Sequence, residues 1–193
     1  MYSNRNNNML VLSLYLKDYS KKFYLREISR LTKVPLKNTY VILNELEKDN
    51  IIKSQLVGKN KYFYLNLDNI EVKYLILNSE IYKTVIFIKK YPHFTGFLKE
   101  LDDPEACIVI FGSFAKFSVD KDSDLDLLII SDKKIEIPYH VIPNKIHEII
   151  LSKNDFIETV EKNEIFIKKI KENHIILDNH SFFVNVIWRK YAK

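Results

Sequence analysis

Two apolar runs, residues 106–111 and 125–130, the second interrupted only by Asp126, constrain this chain more than any other feature. Each is strand-length, lacks polar alternation and is bounded by turn residues, so each reads as a strand buried on both faces. The first run stops at Gly112-Ser113. The second grows out of Asp122-Ser123-Asp124 and carries Asp126 two residues further on, so that strand is expected to start at Asp122. Side chains alternate along a strand, which puts Asp124 and Asp126 on one face, roughly 7 Å apart along the chain. Two like charges at the end of an apolar strand are costly unless a cation neutralises them. Paired carboxylates suit Mg²⁺, which keeps several waters and bridges to phosphates. Gly112 lets backbone approach a phosphate, and Ser113 adds a hydroxyl donor beside the N–H groups that open the next helix. These features describe a site that holds a nucleoside triphosphate while metal ions organise phosphoryl chemistry.

The 193 residues are 47% hydrophobic and 28% charged, enough for one domain or two small ones and too apolar for a disordered chain. One cysteine, Cys107, excludes a disulfide framework and a zinc site built on paired cysteines. His93, His140, His174 and His180 have no partner at metal-ligand spacing. No apolar run is long enough to span a membrane and the first eight residues are polar, so the expectation is a soluble cytoplasmic protein without membrane association.

Charge is divided unequally. Residues 1–70 hold nine Lys and three Arg against six acids, whereas the remaining residues hold 18 bases and 19 acids. A basic domain beside a nearly neutral one suggests a module for a polyanion joined to something else. Periodicity supports helices over residues 9–19, 23–32 and 36–48, the last turning Thr39, Ile42, Leu43 and Leu46 inward. Pro35 separates the second helix from the third, and Asn50 can take the left-handed conformation that ends the third. Two β-rich runs, 51–57 and 61–67, follow on either side of Gly58-Lys59-Asn60. Residues 71–101 read mostly as a connecting helix, broken at Tyr91-Pro92, which serves as a strut, as part of a core or as the seam of a homodimer.

The stretch YLREISRLTKVPLKNTYVILNELEKDNIIKSQLVGKNKYFYLNL resembles the winged helix-turn-helix domain of archaeal and bacterial regulators. The resemblance implies that the third helix enters the major groove of double-stranded DNA, presenting Lys37, Asn38, Tyr40 and Val41, with Asn44 one turn on. Lys59 and Lys61 of the wing would contact phosphates.

GSFAKFSVDKDSDLDLLII resembles the signature of the small, minimal nucleotidyltransferases of the DNA polymerase beta superfamily, over about residues 93–193. That resemblance assigns Gly112 and Ser113 to the triphosphate, and Asp124 and Asp126 to Mg²⁺. The family's loop usually carries a glycine a few residues after the serine, where this chain has Phe117. Members that catalyse transfer use a third carboxylate on a neighbouring strand as metal ligand and base toward the acceptor. Glu148, in a strand over residues 145–151, is the expected residue. Strand alternation turns either Glu148 or His147 toward the site, and with His147 inward the third carboxylate is missing. Glu136, beside Pro138, is a weaker candidate.

The expected architecture is therefore α+β: a winged helix at 1–70, a connecting segment at 71–101, and a small α/β nucleotidyltransferase domain with a mixed sheet at 102–193. Helices are expected over residues 155–171 and 181–191, with a short strand at 175–177. The expected reaction is metal-assisted attack of an acceptor hydroxyl on the α-phosphate. Two other readings stay open: a regulator whose second domain binds nucleotide without turnover, and a toxin–antitoxin component that modifies a partner protein.

Overall fold

The computed structural model describes residues 2–101, 105–120 and 123–192, with no side-chain description before residue 7. It forms two compact units, residues 1–79 with 191–193, and residues 80–190. Both contain helices and a sheet, so the protein is a mixed α+β chain. The boundary falls inside a helix rather than at residue 70 or 101.

The first unit runs α1 (Tyr2–Ser13), β1 (Phe23–Tyr24), α2 (Leu25–Thr32), α3 (Leu36–Lys48), β2 (Ile52–Val57) and β3 (Asn60–Leu65). Helix α1 starts earlier than the expected residue 9 and ends earlier than 19. Beyond Ser13 the chain tightens into three-residue turns, with Leu16 N–H donating to the Ser13 carbonyl, and Asp18 then accepts from Ser20 N–H. Helix α3 buries Thr39, Ile42, Leu43 and Leu46, the apolar stripe its spacing requires. Asn50 (φ 59°) and Gly58 (φ 60°) hold the left-handed conformations that end α3 and turn the β2–β3 hairpin. The three strands order as β1-β3-β2, all antiparallel. Tyr15 is fully buried and donates its hydroxyl to the Phe63 carbonyl, tying the end of the first helical region to β3.

Helix α4 (Ile70–Lys90) and α5 (Phe94–Glu100) flank the Tyr91-Pro92 break. The second unit continues with β4 (Cys107–Phe111), α6 (Gly112–Ala115), β5 (Leu125–Ile130), a 3₁₀ turn at Tyr139–Val141, β6 (Ile146–Leu151), α7 (Lys153–Glu161), α8 (Ile165–Glu172), β7 (Ile175–Asp178) and α9 (His180–Tyr191). The expected single helix over 155–171 is two, because Asn163 takes a left-handed φ of 56° between them. Asp122, the expected start of the second strand, lies outside the described residues, and Asp124 precedes β5 instead of belonging to it.

The four strands order as β6-β5-β4-β7; β4 is antiparallel to both neighbours and β5 is parallel to β6. The two apolar runs are the central strands. Ile108, Ile110, Leu125, Leu127 and Ile129 lie in one core cluster with Phe87, Phe94, Phe97 and Phe114 from the helices. Cys107 is buried inside β4, where burial raises its thiol pKa; it is a small apolar filler, not a nucleophile.

A polar group crosses this apolar interior. Glu80 of α4 and His174 are each 1% exposed, with His174 Nε2 2.7 Å from Glu80 Oε1 and Lys83 Nζ 3.0 Å from Oε2. Burial opposes the charged carboxylate, yet His174 and Lys83 together hold its pKa down to about 2, against an ordinary 4.5. One turn on, Thr84 donates to the Ile176 carbonyl and contacts His180 Nε2. A depressed carboxylate pKa contributes stability that is complete above pH 4.5 and is lost as pH falls toward 2. Glu80→Ala leaves the imidazole and ammonium facing a void, and should lower the unfolding free energy by about 3–5 kcal/mol in chemical denaturation. Glu80→Gln should flatten the acid limb of the stability–pH curve between pH 4.5 and 2; an unchanged limb would remove this pair from the account of acid stability.

Candidate active site

The Gly-Ser turn and the two carboxylates meet at one end of the central strand pair. Phe111, the last residue of β4, pairs with Asp126 of β5, so Gly112 follows directly beside that carboxylate. Gly112 has φ 68°, and a Cβ built on it would lie 2.0 Å from Asp126 Oδ2. Glycine is thus required twice, for the backbone conformation and for the space that Asp126 occupies.

Helix α6 is a single turn, held by Lys116 N–H on the Gly112 carbonyl and anchored by buried Phe114 and Ala115. Its length removes most of the helix dipole expected from the sequence. What remains is the Ser113 hydroxyl and the first-turn N–H groups, which have no partner within a helix so short. Ser118 N–H returns to the Ser113 carbonyl and closes the loop.

Phe117 stands where a glycine is usual in the resembling family, and it adopts φ 57° all the same. Its ring compensates for the strained backbone. It stacks with Tyr91 at 6.2 Å and 20°, and packs edge-on to Phe87 at 6.1 Å. Lys90 Nζ donates to the Phe117 carbonyl at 3.0 Å and lies 5.2 Å from the ring. Aromatic packing and one lysine do here what conformational freedom does elsewhere.

Asp124 and Asp126 lie on one face, with side chains 37% and 30% exposed. Burial raises the Asp126 pKa, with His147 opposing the shift and Asp124 adding to it. In the parallel β5–β6 ladder Asp126 pairs with His147, and Leu127 with Glu148. His147 therefore shares the face of the carboxylates, its Nε2 3.5 Å from Asp124 Oδ2 and its Nδ1 3.9 Å from Asp126 Oδ1.

Glu148 is the correction. It faces the other side of β6, accepts a hydrogen bond from the Tyr139 hydroxyl, and with burial raises that phenol to about 12. It is thus turned away from the face that carries Asp126 and His147. Glu136 sits exposed in the loop before the 3₁₀ turn. Among the described residues, no group of three or more His, Cys, Asp or Glu side chains is placed to hold a metal ion. The donor set still fits one Mg²⁺. Two carboxylate oxygens, one from a partly desolvated group, suit a hard cation that takes its other oxygens from phosphates and water. His147 offers nitrogen, which does not suit it.

Residues 95–181 match the polymerase beta nucleotidyltransferase family. The matched segment contains the turn, both carboxylates and His147, and lies within the 93–193 span of the resemblance. No curated protein and no solved structure matches the chain.

In the first unit, a groove of about 620 Å³ between α3 and the β2–β3 hairpin is lined by Tyr40, Asn44, Lys59 and Lys61 of the expected contact residues. Tyr24, Arg26 and Phe63 join them; Arg26 was not singled out by sequence because it lies on α2, outside the stretch read as presenting contacts. Lys37 and Asn38 are exposed on α3 outside the groove lining. Lys61 is engaged at 2.7 Å by Glu47 of α3, which also accepts from Ser54. Among the described residues, no helix is long and apolar enough to cross a membrane.

Gly112→Ala should displace the Asp126 carboxylate and weaken Mg²⁺–triphosphate binding at least about tenfold, roughly 1.4 kcal/mol, in calorimetric titration. Gly96→Ala is the control: it is helical, meets only Val141 Cγ1 at 3.8 Å, and should bind as wild type. Equal binding by the Gly112 variant would mean that the turn does not carry the site.

Proposed function

We propose that the C-terminal unit transfers a nucleoside monophosphate from a triphosphate, ATP being the first to test, to an acceptor hydroxyl. The observation that carries this reading is the packing of the Gly112-Ser113 turn against Asp126 on the neighbouring strand, inside a segment that matches nucleotidyltransferases. Asp124 and Asp126 would hold Mg²⁺, and Ser113 Oγ would donate to a phosphate oxygen. Bound Mg²⁺ supplies neutralisation of charge on the phosphates.

The chain's residues then account for the rest. With Glu148 turned away, His147 is the titratable side chain beside the carboxylates, and its Nε2 takes the proton of the acceptor hydroxyl. The acceptor oxygen bonds to the α-phosphorus, the bond from that phosphorus to the bridging oxygen breaks, and pyrophosphate leaves. Asp124 Oδ2 lies 3.5 Å from that nitrogen.

A second reading has its own support. The missing third carboxylate favours a regulator that binds nucleotide without turning it over, with the nucleotide changing affinity for DNA. Both readings share the proposal that residues 1–70 form a winged helix on duplex DNA. Its support is the order of three helices followed by a hairpin, the positive charge of this segment, and a cationic, aromatic groove beside α3. The groove's Lys59 would meet phosphates and the exposed face of α3 the base edges.

Wild type should release pyrophosphate with Mg²⁺–ATP in the presence of its acceptor, and Asp124→Asn with Asp126→Asn should lose Mg²⁺-dependent triphosphate binding. His147→Ala should retain binding and lose roughly 10²-fold in release rate. Glu148→Gln should change neither. Binding without release across acceptors would replace the transferase by the regulator. DNA affinity should fall as salt rises; Lys59→Ala should weaken all sequences alike, and Asn38→Ala should alter sequence preference. Absence of salt-dependent binding would reject the DNA reading while leaving the transferase untouched.

A further inference from the structure

At the carboxylate end of the second unit, the two ladders of β5 set Phe111, Asp126 and His147 in one row. Residues directly opposed on paired strands project to the same face, with Cα atoms roughly 5 Å apart. Phe111 thus stands on one flank of Asp126 and His147 on the other. Phe111 is half-buried, and the ring that meets it is half-buried Phe166 of α8, at 6.2 Å and 88°. Helix α8 buries Ile167 and Ile170, which leaves Phe166 at the margin of the buried stripe and Ile165 beside it 74% exposed. In a perpendicular pair one ring offers only its edge, and both faces of that ring stay clear of the partner.

The rest of the site selects what this pair receives. In the proposed reaction the Gly112-Ser113 turn takes phosphates, Asp124 and Asp126 the metal, and His147 the acceptor hydroxyl. The nucleoside of the triphosphate remains to be placed, and the flank of Asp126 opposite His147 is the aromatic one. A nucleobase suits such a surface, because its faces stack on an aromatic ring while its polar edges stay in water. An aliphatic side chain at position 166 would fill the same space without offering a π-face.

We propose that Phe111 and Phe166 form the platform on which the base of the bound triphosphate stacks, and that the site therefore prefers purine to pyrimidine nucleotides. The larger ring system of a purine covers more of an aromatic face, whereas stacking does not read the edges that distinguish adenine from guanine. The platform rests on the reading of the Gly112-Ser113 turn and its carboxylates as a triphosphate site.

Calorimetric titration of the full chain with Mg²⁺ compares ATP, GTP and UTP with inorganic tripolyphosphate, which has phosphates and no base. Wild type should bind all four, with ATP and GTP about threefold or more tighter than UTP. Phe166→Leu keeps an apolar side chain and loses the π-face; it should bind tripolyphosphate as wild type does and ATP about five- to tenfold more weakly. Phe166→Tyr, which restores an aromatic ring, should bind ATP as wild type. Unchanged ATP affinity in Phe166→Leu, an equal loss of ATP and tripolyphosphate in that variant, or UTP bound by wild type as tightly as ATP would each overturn the platform and leave the triphosphate site standing. Binding of neither ATP nor tripolyphosphate by wild type would overturn that site and the platform with it.

Discussion

The hydrogen-bond ladder that aligns β5 with its two neighbours is the constraint on which the site depends. On one side it sets Phe111 opposite Asp126, which delivers Gly112 against the carboxylate. On the other it sets His147 opposite Asp126. A slip of one residue in either pairing would turn a whole row of side chains to the opposite face. Packing opposes the slip, because Leu125, Leu127 and Ile129 lie in the cluster with Phe114 and a one-residue shift would turn Asp126 into that cluster. The chemistry at the strand ends thus inherits its accuracy from the core beneath it.

The loop after β4 uses the same economy of parts. Phe117 takes a left-handed conformation that costs an L residue on the order of 1 kcal/mol, and Tyr91, Phe87 and Lys90 offset it. The Tyr91-Pro92 break brings these groups together: α4 ends at Lys90 and places its last turn beside the loop. A second polar tie, the Glu80–His174 pair with Thr84 on the Ile176 carbonyl, holds α4 against β7 and α9. Removing either partner from such a pair costs more than the pair itself contributes, so it fixes which face of α4 turns inward.

In the first unit, charge is less free than its count suggests. Lys61 is engaged by Glu47, and the hairpin's remaining exposed lysine, Lys59, lies at the turn beside Gly58. The aromatic residues of the groove, Tyr24, Tyr40 and Phe63, give that surface a hydrophobic character that net charge does not express.

Local rules of spacing already determined much of this protein. The apolar runs fixed the two central strands, Pro35 and Pro92 the helix breaks, and Gly58 and Asn50 the turns. Each of these depends on residues a few positions apart, where steric and periodic constraints act directly. Tertiary structure decided the rest. The alternation within β6 allowed either Glu148 or His147 to face the carboxylates, and only the pairing of β6 with a strand some twenty residues earlier chose His147. Nothing local marks Lys61 as held by Glu47, or Glu80 as the partner of a histidine near the other end of the chain. Those contacts arise between segments that the fold, and not the sequence distance, makes neighbours, so their energies appear only once the chain has closed around its core.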